Sequence, residues 1–302
     1  SLYGCNRTRP SLFDGGTLFV QKNGQSIREF IYTEVEGGYR STNLSVMSSH
    51  LIDTPKDLAQ IEGTASRPEN YALFVNSGST YNGSIAVFHS IRDEEIQGWS
   101  LWQTKTGDNF HSICAANEHL FTVGKRDIGG STQYLLEKFG EDDSTNMDCQ
   151  TTTTVYQKGT PLVNGGSQSG NTLSVDGFSA APQVQETFSI AGNATIYSIT
   201  AVTATASGYD LQLDQNLAAT PSDNAAITIV KGFVHTVNAI YGNTTSVNAV
   251  YGNSSLGSYT VNSSNRITLI NLPQPTGVKV GFNFSPTLET MPVDKELETG
   301  PL

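Results

Sequence analysis

The apolar residues of this chain come in short runs, and turn-forming residues break each run before a helix of ordinary length can close. Between residues 71 and 139 the runs fall near 71–75, 84–90, 98–103, 109–115, 119–124 and 132–139. Clusters such as Asn76-Ser77-Gly78 and Asp127-Ile128-Gly129-Gly130-Ser131 separate them. Short strands recurring at about 8–12 residues mark a sandwich, a barrel or a propeller. Four-stranded units ending in the Trp-bearing run Gly98-Trp99-Ser100-Leu101-Trp102 suit propeller blades best.

Composition agrees with an all-β chain. Glycine occurs 29 times in 302 residues, and Ser, Thr and Asn run through nearly every segment, which favours turns over long helices. The first hairpin is read from Thr17-Leu18-Phe19-Val20, a turn at Asn23-Gly24, and a return strand from Ile27 to Val35. One helix is expected, two or three turns over 43–52, because Leu44, Met47 and Leu51 follow helical spacing after a Thr/Asn cap.

Beyond residue 160 the composition shifts. Residues 164–181 are small and polar and read as a linker. Phe188-Ser189-Ile190, Ile196 to Ile199, Val202 to Ala206, Leu211 to Leu213 and Ile227 to Val230 then form a string of short strands with few charges, read as a small β-barrel or sandwich module. The organisation inferred is a propeller-like β domain at 1–163, an inserted module at 164–231, and a return to the first domain at 232–302. A ten-residue repeat follows the module: Val237-Asn238-Ala239-Ile240-Tyr241-Gly242-Asn243, then Val247-Asn248-Ala249-Val250-Tyr251-Gly252-Asn253. Two copies are too few for a solenoid. They read as an extended hairpin or loop with Tyr241 and Tyr251 on equivalent faces, ahead of strands at 258–261, 266–270 and 277–284.

Charge and motif content exclude several chemistries. The net charge of −11 argues against a protein that grips nucleic acid through a basic face. Cys5, Cys114 and Cys149 form no CxxC pair; one bridge would leave three pairings open, and the ordinary reading is three buried thiols. The histidines His50, His89, His111, His119 and His235 form neither HxH nor HExxH, so no metal centre is expected. Gly165-Gly166-Ser167-Gln168-Ser169-Gly170 lacks nucleophile-elbow spacing, and Gly124-Lys125 lacks the upstream glycine of a phosphate loop. Asp93-Glu94-Glu95 and Glu141-Asp142-Asp143 lack calcium-loop spacing and read as solvated turns. No catalytic residue and no cofactor is therefore expected. No apolar stretch is long enough for a membrane span, no secretory signal pattern opens the chain, and both ends read as cut from a longer polypeptide.

Three readings of function follow from different residues. Ser11-Leu12-Phe13-Asp14-Gly15-Gly16-Thr17-Leu18 faintly resembles the aspartate-box hairpin of some glycosidase propellers. With Trp99 and Trp102 as stacking platforms, this gives a carbohydrate-binding or glycan-cleaving propeller at a cell surface. Cleavage would need two facing carboxylates. Asn-X-Ser/Thr sequons recur along the chain, Asn43, Asn193, Asn243 and Asn253 among them, and allow a secreted glycosylated adhesion domain.

The third reading comes from a resemblance. Gly24-Gln25-Ser26-Ile27-Arg28-Glu29-Phe30-Ile31-Tyr32, then Gly38-Tyr39, then Asn43-Leu44-Ser45-Val46 resembles the signature of phage tail nozzle proteins, the tail tubular protein B family of short-tailed phages. Glu95-Ile96-Gln97-Gly98-Trp99, Phe110-His111-Ser112-Ile113 and Tyr134 to Phe139 continue it, as do Val278 to Ser285 and Thr287 to Pro292. The resemblance covers about residues 15–160 and 232–295, and its signature positions are Arg28, Glu29, Phe30, Tyr32, Tyr39, Leu44, Gly98 and Trp99. Phe188 to Gly192 and Ala219 to Thr228 are similar to the small β domain named after the first catalytic-cysteine half-domain of ubiquitin-activating enzymes, without its chemistry. What the resemblance implies is a structural protein of the virion, a propeller subunit of a hexameric ring at the distal end of the tail. Its partners would be further copies of itself and the tail tube and adaptor proteins, with viral DNA in passage and the host surface in reach.

Overall fold

The computed structural model describes residues 4–64, 67–140, 147–270, 272 and 276–283. The protein is all-β, and its first three antiparallel sheets follow one another along the chain. The first is a meander of β1 (Ser11–Phe13), β2 (Gly16–Val20), β3 (Ile27–Thr33) and β4 (Gly38–Asn43). The second is a meander of β5 (Pro55–Ile61), β6 (Asn70–Asn76), β7 (Ile85–Ile91) and β8 (Ile96–Trp102). The third has β9 (Asn109–Ala116), β10 (His119–Ile128) and β11 (Ser131–Lys138). The apolar runs at 71–139 thus become β6 to β11.

Sheet-on-sheet burial explains why β6 and β7 are apolar almost throughout. Ala72, Phe74, Ala86 and Phe88 face the first sheet and join Phe13, Leu18, Val20 and Ile27 in one core. Their neighbours Leu73, Val75, Ile85 and Val87 face the third sheet and join Phe110, Ile113 and Leu120 in another. The register sets Ala72 opposite Phe88 and Phe74 opposite Ala86, so each large ring fills the space left by a small partner. Two four-stranded meanders and a three-stranded sheet thus pack face to face in series through the first half.

Next come β12 (Met147–Thr152), β13 (Thr154–Tyr156), β14 (Gly159–Val163), β15 (Thr172–Phe178), β16 (Thr187–Ile190), β17 (Asn193–Ala204), β18 (Tyr209–Leu213) and β19 (Ile227–Lys231). After these come β20 (Phe233–Thr236), β21 (Ser246–Tyr251), β22 (Ser254–Thr260), β23 (Arg266–Leu269) and β24 (Lys279–Asn283). Strands β14 to β19 form a six-stranded sheet in the order β14-β15-β18-β17-β16-β19. An isolated bridge between Leu162 and Ala226 brings β14 and β19 together, so the sheet nearly closes into a barrel. It holds its own core of Val163, Leu173, Val175, Phe188, Ile190, Tyr197, Ile199, Leu211, Leu213 and Ile227. Before and after it, β13 pairs with β20, and β12 pairs with β24.

Several expectations are corrected. The expected helix at 43–52 is a tight turn followed by a 3-10 turn at Ser49–Leu51. The Asn43 side chain accepts from the Ser45 amide at 3.0 Å, the Ser45 hydroxyl accepts from the Ile27 amide at 3.0 Å, and the Leu44 amide donates to the Ile27 carbonyl at 3.0 Å. These local bonds tie the segment to β3, and Val46 and Met47 are left exposed. The stretch read as a linker at 164–181 contains β15, whose Leu173 and Val175 are core residues, and the sheet itself begins earlier, at β14. The two runs read as strands at 196–199 and 202–206 fall on one strand, β17, which ends at Ala204; it pairs with β16 as far as Ser198 and with β18 from Ile199, with a register shift between Ile199 and Ala201.

The repeat departs from expectation most. Its first copy forms a 3-10 turn at Ala239–Tyr241 with the Asn238 side chain capping Ile240, and its second copy is β21, paired on both sides by β22 and β24. Tyr241 is fully buried at 0% exposure and its hydroxyl contacts the carbonyls of Cys149 and Val280 at 2.7 and 2.8 Å, whereas Tyr251 is 44% exposed. Matching sequence thus takes two conformations, because tertiary pairing decides what local preference leaves open. The cysteines are free, and Cys5 and Cys114 are exposed where buried thiols were expected. Glu141-Asp142-Asp143, Phe284, Ser285 and the stretch Thr287 to Pro292 lie outside the described residues.

His235 of β20 is linked through Thr153 to Val278, the residue before β24. It is fully buried, and its Nδ1 lies 2.9 Å from the Thr153 hydroxyl, which donates to the Val278 carbonyl at 3.1 Å. Burial lowers the His235 pKa from its ordinary 6.5, so the folded protein holds the ring neutral. Burial lowers His89 as well, opposed by the charge of Glu69. Below the ordinary histidine range the unfolded chain binds protons that the folded chain refuses, so stability is lost as pH falls through that range. The urea midpoint is expected to drop between about pH 7.5 and about pH 5.5, and H235Q to flatten that drop measurably; an unchanged slope in H235Q would refute the assignment.

Candidate functional site

The residues that carry the family resemblance collect on the first two sheets, and the strand alternation of β3 divides them between two faces. Arg28, Phe30 and Tyr32 point outward, while Ile27 and Glu29 point toward the second sheet. On the outer face Phe30 and Tyr39 stack with centroids 4.9 Å apart and planes 3° apart, and Tyr32 meets Tyr39 edge-on at 5.3 Å. All three rings are exposed, and Leu12, across from Thr17 on β1, extends the apolar surface. Arg28 is buried beneath this surface, its Nε donating to the Ser41 hydroxyl at 3.0 Å and its Nη2 to the Ser41 carbonyl at 3.1 Å.

The inward residues are structural. Glu29 accepts from Arg92, whose Nε also donates to Asp14 at 3.0 Å. Burial opposes the Arg92 charge, and the bonds to Glu29 and Asp14 outweigh that and raise its pKa. Gly16 is required here, since a Cβ would sit 2.5 Å from the Glu29 carboxylate. Asp14 and Gly15, with φ of 49° and 79°, make the two-residue turn that joins β1 to β2. The stretch that resembles an aspartate box is therefore a tight hairpin whose aspartate pairs with Arg92. Trp99 packs on Phe74 and Phe88 with centroids 5.8 and 5.0 Å away, and its Nε1 donates to the Leu44 carbonyl at 3.0 Å. Leu44 is half-buried against the same core, and Gly98 lies on the exposed outer part of β8. Trp102 packs against Phe139.

Two features escaped the reading of the sequence. Arg126 of β10 is 1% exposed and meets three carboxylates: Glu137 at 2.8 and 2.5 Å, Asp148 at 2.6 and 2.9 Å, and Asp108 at 3.5 Å. It lies in register with the inward residues Leu120, Thr122, Gly124 and Ile128, and an arginine at such a position is the signal that acidic partners must surround it. Burial opposes its charge, but the carboxylates prevail and its pKa is raised. Burial, reinforced by Glu137, pushes the neighbouring Cys149 thiol up to about 12, so it is held as an unreactive thiol. The second feature is an open cleft of about 320 Å³ lined by Gln25, Ser49, His50, Ile52, Asp53, Thr80 and Tyr81. Asp53 is spent there on the amides of Thr80 and Tyr81, at 2.8 and 2.9 Å.

Among the described residues no group of three or more His, Cys, Asp and Glu side chains is placed to hold a metal ion, and no helix is long and apolar enough to cross a membrane. No family model matches the chain, and no curated protein matches it. The arrangement offers an exposed aromatic sheet face and two arginine–carboxylate clusters, one around Arg92 and a buried one around Arg126, that tie separate elements together.

Replacing Arg126 tests the second part of that statement. R126M leaves three clustered carboxylates without a cation and is expected to cost about 3–5 kcal/mol in chemical denaturation. R126K keeps the charge but loses the fork geometry and is expected to fall between R126M and the wild type. In W99F the ring packing survives and the bond to Leu44 does not, for an expected loss of about 1 kcal/mol.

Proposed function

We propose that this protein is a structural component of a phage virion, a subunit of the tail nozzle through which viral DNA is ejected. The observation that carries the reading is the outer face of the first sheet: Phe30, Tyr32 and Tyr39, all residues of the signature, pack ring against ring and are exposed rather than spent on the core. Aromatic clusters of this kind on a rigid scaffold are what protein interfaces use as anchors. In a hexameric ring this face meets a neighbouring copy, with the tail tube and adaptor proteins as further partners. The net charge of −11 suits a conduit, because an acidic wall repels the DNA backbone and lets it slide.

The glycan reading draws less support from the geometry. Trp99 is occupied by Phe74, Phe88 and Leu44, and the acidic cluster of Asp108, Glu137 and Asp148 is already gathered around Arg126.

Negative-stain electron microscopy of the full-length protein tests the proposal. Six-fold rings with a pore wide enough for duplex DNA are the expected result, and F30S/Y39S is expected to shift the particles to monomers while the thermal unfolding curve stays in place. Uniform particles without a pore, across a range of concentrations, would overturn it.

A further inference from the structure

The six-stranded sheet joins the rest of the chain through two crossings, and one buried ion pair spans them. The chain enters from β13 through Gln157, Lys158 and Gly159, and leaves through Gly232 into β20. Lys158 is 4% exposed and Glu186 is 0% exposed, and the Lys158 ammonium donates to Glu186 Oε1. The Glu186 side chain also lies against Gly232, where an added Cβ would collide with it. Glu186 therefore touches the entering and the leaving strand together. Its second oxygen, Oε2, is buried and finds no hydrogen-bond partner among the described residues.

Three further observations bear on what this pair does. The substantial strand-to-strand packing of β14 to β19 is all within their own sheet, so its attachment rests on the neck rather than on a broad interface. Each crossing carries a glycine in the left-handed region, Gly159 at φ 88° and Gly232 at φ 97°. Ser179 also clasps the entry strand: its amide donates to the Lys158 carbonyl at 2.7 Å and its hydroxyl donates to the Gln157 carbonyl at 3.0 Å.

We propose that the Lys158–Glu186 pair is a latch that fixes the orientation of the six-stranded sheet, and that breaking it lets this sheet pivot as one body about Gly159 and Gly232. The physical case is that a buried pair with one oxygen unsatisfied is a poor source of stability and a good source of geometric definition. Burial works against both charges, lowering the Lys158 pKa and raising that of Glu186, each opposed by the other partner. The sheet has an apolar core of its own, from Val163 to Ile227, and that packing is expected to hold its strands together when the pair opens. This inference stands apart from the nozzle reading, since it concerns only how one sheet is joined to the others.

Backbone amide relaxation on the whole chain reads the effect. In the wild type, amides of β15 and β18 are expected to report the same tumbling time as amides of β6 and β7. In E186Q the two sets are expected to separate, with the β15 and β18 amides tumbling at least 1.5-fold faster, while their hydrogen-exchange protection stays in place. If E186Q fails to fold, K158M/E186L, which leaves no buried charge, carries the same expectation. Common tumbling in the folded variant would overturn the proposal, as would separate tumbling already present in the wild type. Loss of exchange protection across β15 and β18 in K158M/E186L would overturn it too, by making the pair part of the sheet's own fold.

Discussion

Burial of β6 and β7 on both faces is the constraint on which the first half of the molecule depends. A sheet that is apolar on one side needs one partner, and a sheet apolar on both sides needs two. The run Tyr71-Ala72-Leu73-Phe74-Val75 therefore determines that the second sheet lies inside a stack, with the first sheet against the Phe74 and Phe88 side and the third against the Leu73 and Val87 side. The outer face of the first sheet then has nothing left to cover, and this is where Phe30, Tyr32 and Tyr39 stand in solvent.

Where apolar packing ends, charge clusters continue the fastening. Arg92 joins the first sheet to the second through Asp14 and Glu29, and Arg126 joins the third to β12 through Glu137 and Asp148. Each is a guanidinium shared by carboxylates from separate elements, a geometry that the fixed fork of arginine suits better than an ammonium does. Such clusters contribute little net stability but restrict which sheet faces can meet.

The strands of 71–139 were legible because their apolar runs are long and their turn clusters unmistakable, and β6 to β11 stand where those runs fall. The polar strands were not: β12, β13, β14 and β15 have too few apolar residues to show a period, and their pairing with β24, β20 and one another is long-range. The first hairpin stands where it was read, with β2 paired to β3 and Gly24 at positive φ in the loop between them, but that loop is longer than two residues, and the tight turn with two positive φ angles is at Asp14-Gly15, between β1 and β2. The helix at 43–52 failed because its spacing was satisfied by Leu44 alone, with Met47 in solvent and the backbone already bonded to Ile27. Of the outer face, Phe30, Tyr32 and Tyr39 could be named from the sequence but not their stacking, which needs the register of β3 against β4. Arg126 and the Lys158–Glu186 pair depend on contacts between distant segments that no local pattern encodes.

The pairing of β13 with β20 also has a genetic consequence. Because Tyr156 lies opposite Val234, the points where the chain leaves and re-enters the surrounding sheets are neighbours in space. A stretch of coding sequence between them can be exchanged for another whose ends lie equally close, and the flanking ladder keeps its register. Recombination at these two points would then diversify one appendage while leaving the remainder of the protein as it was.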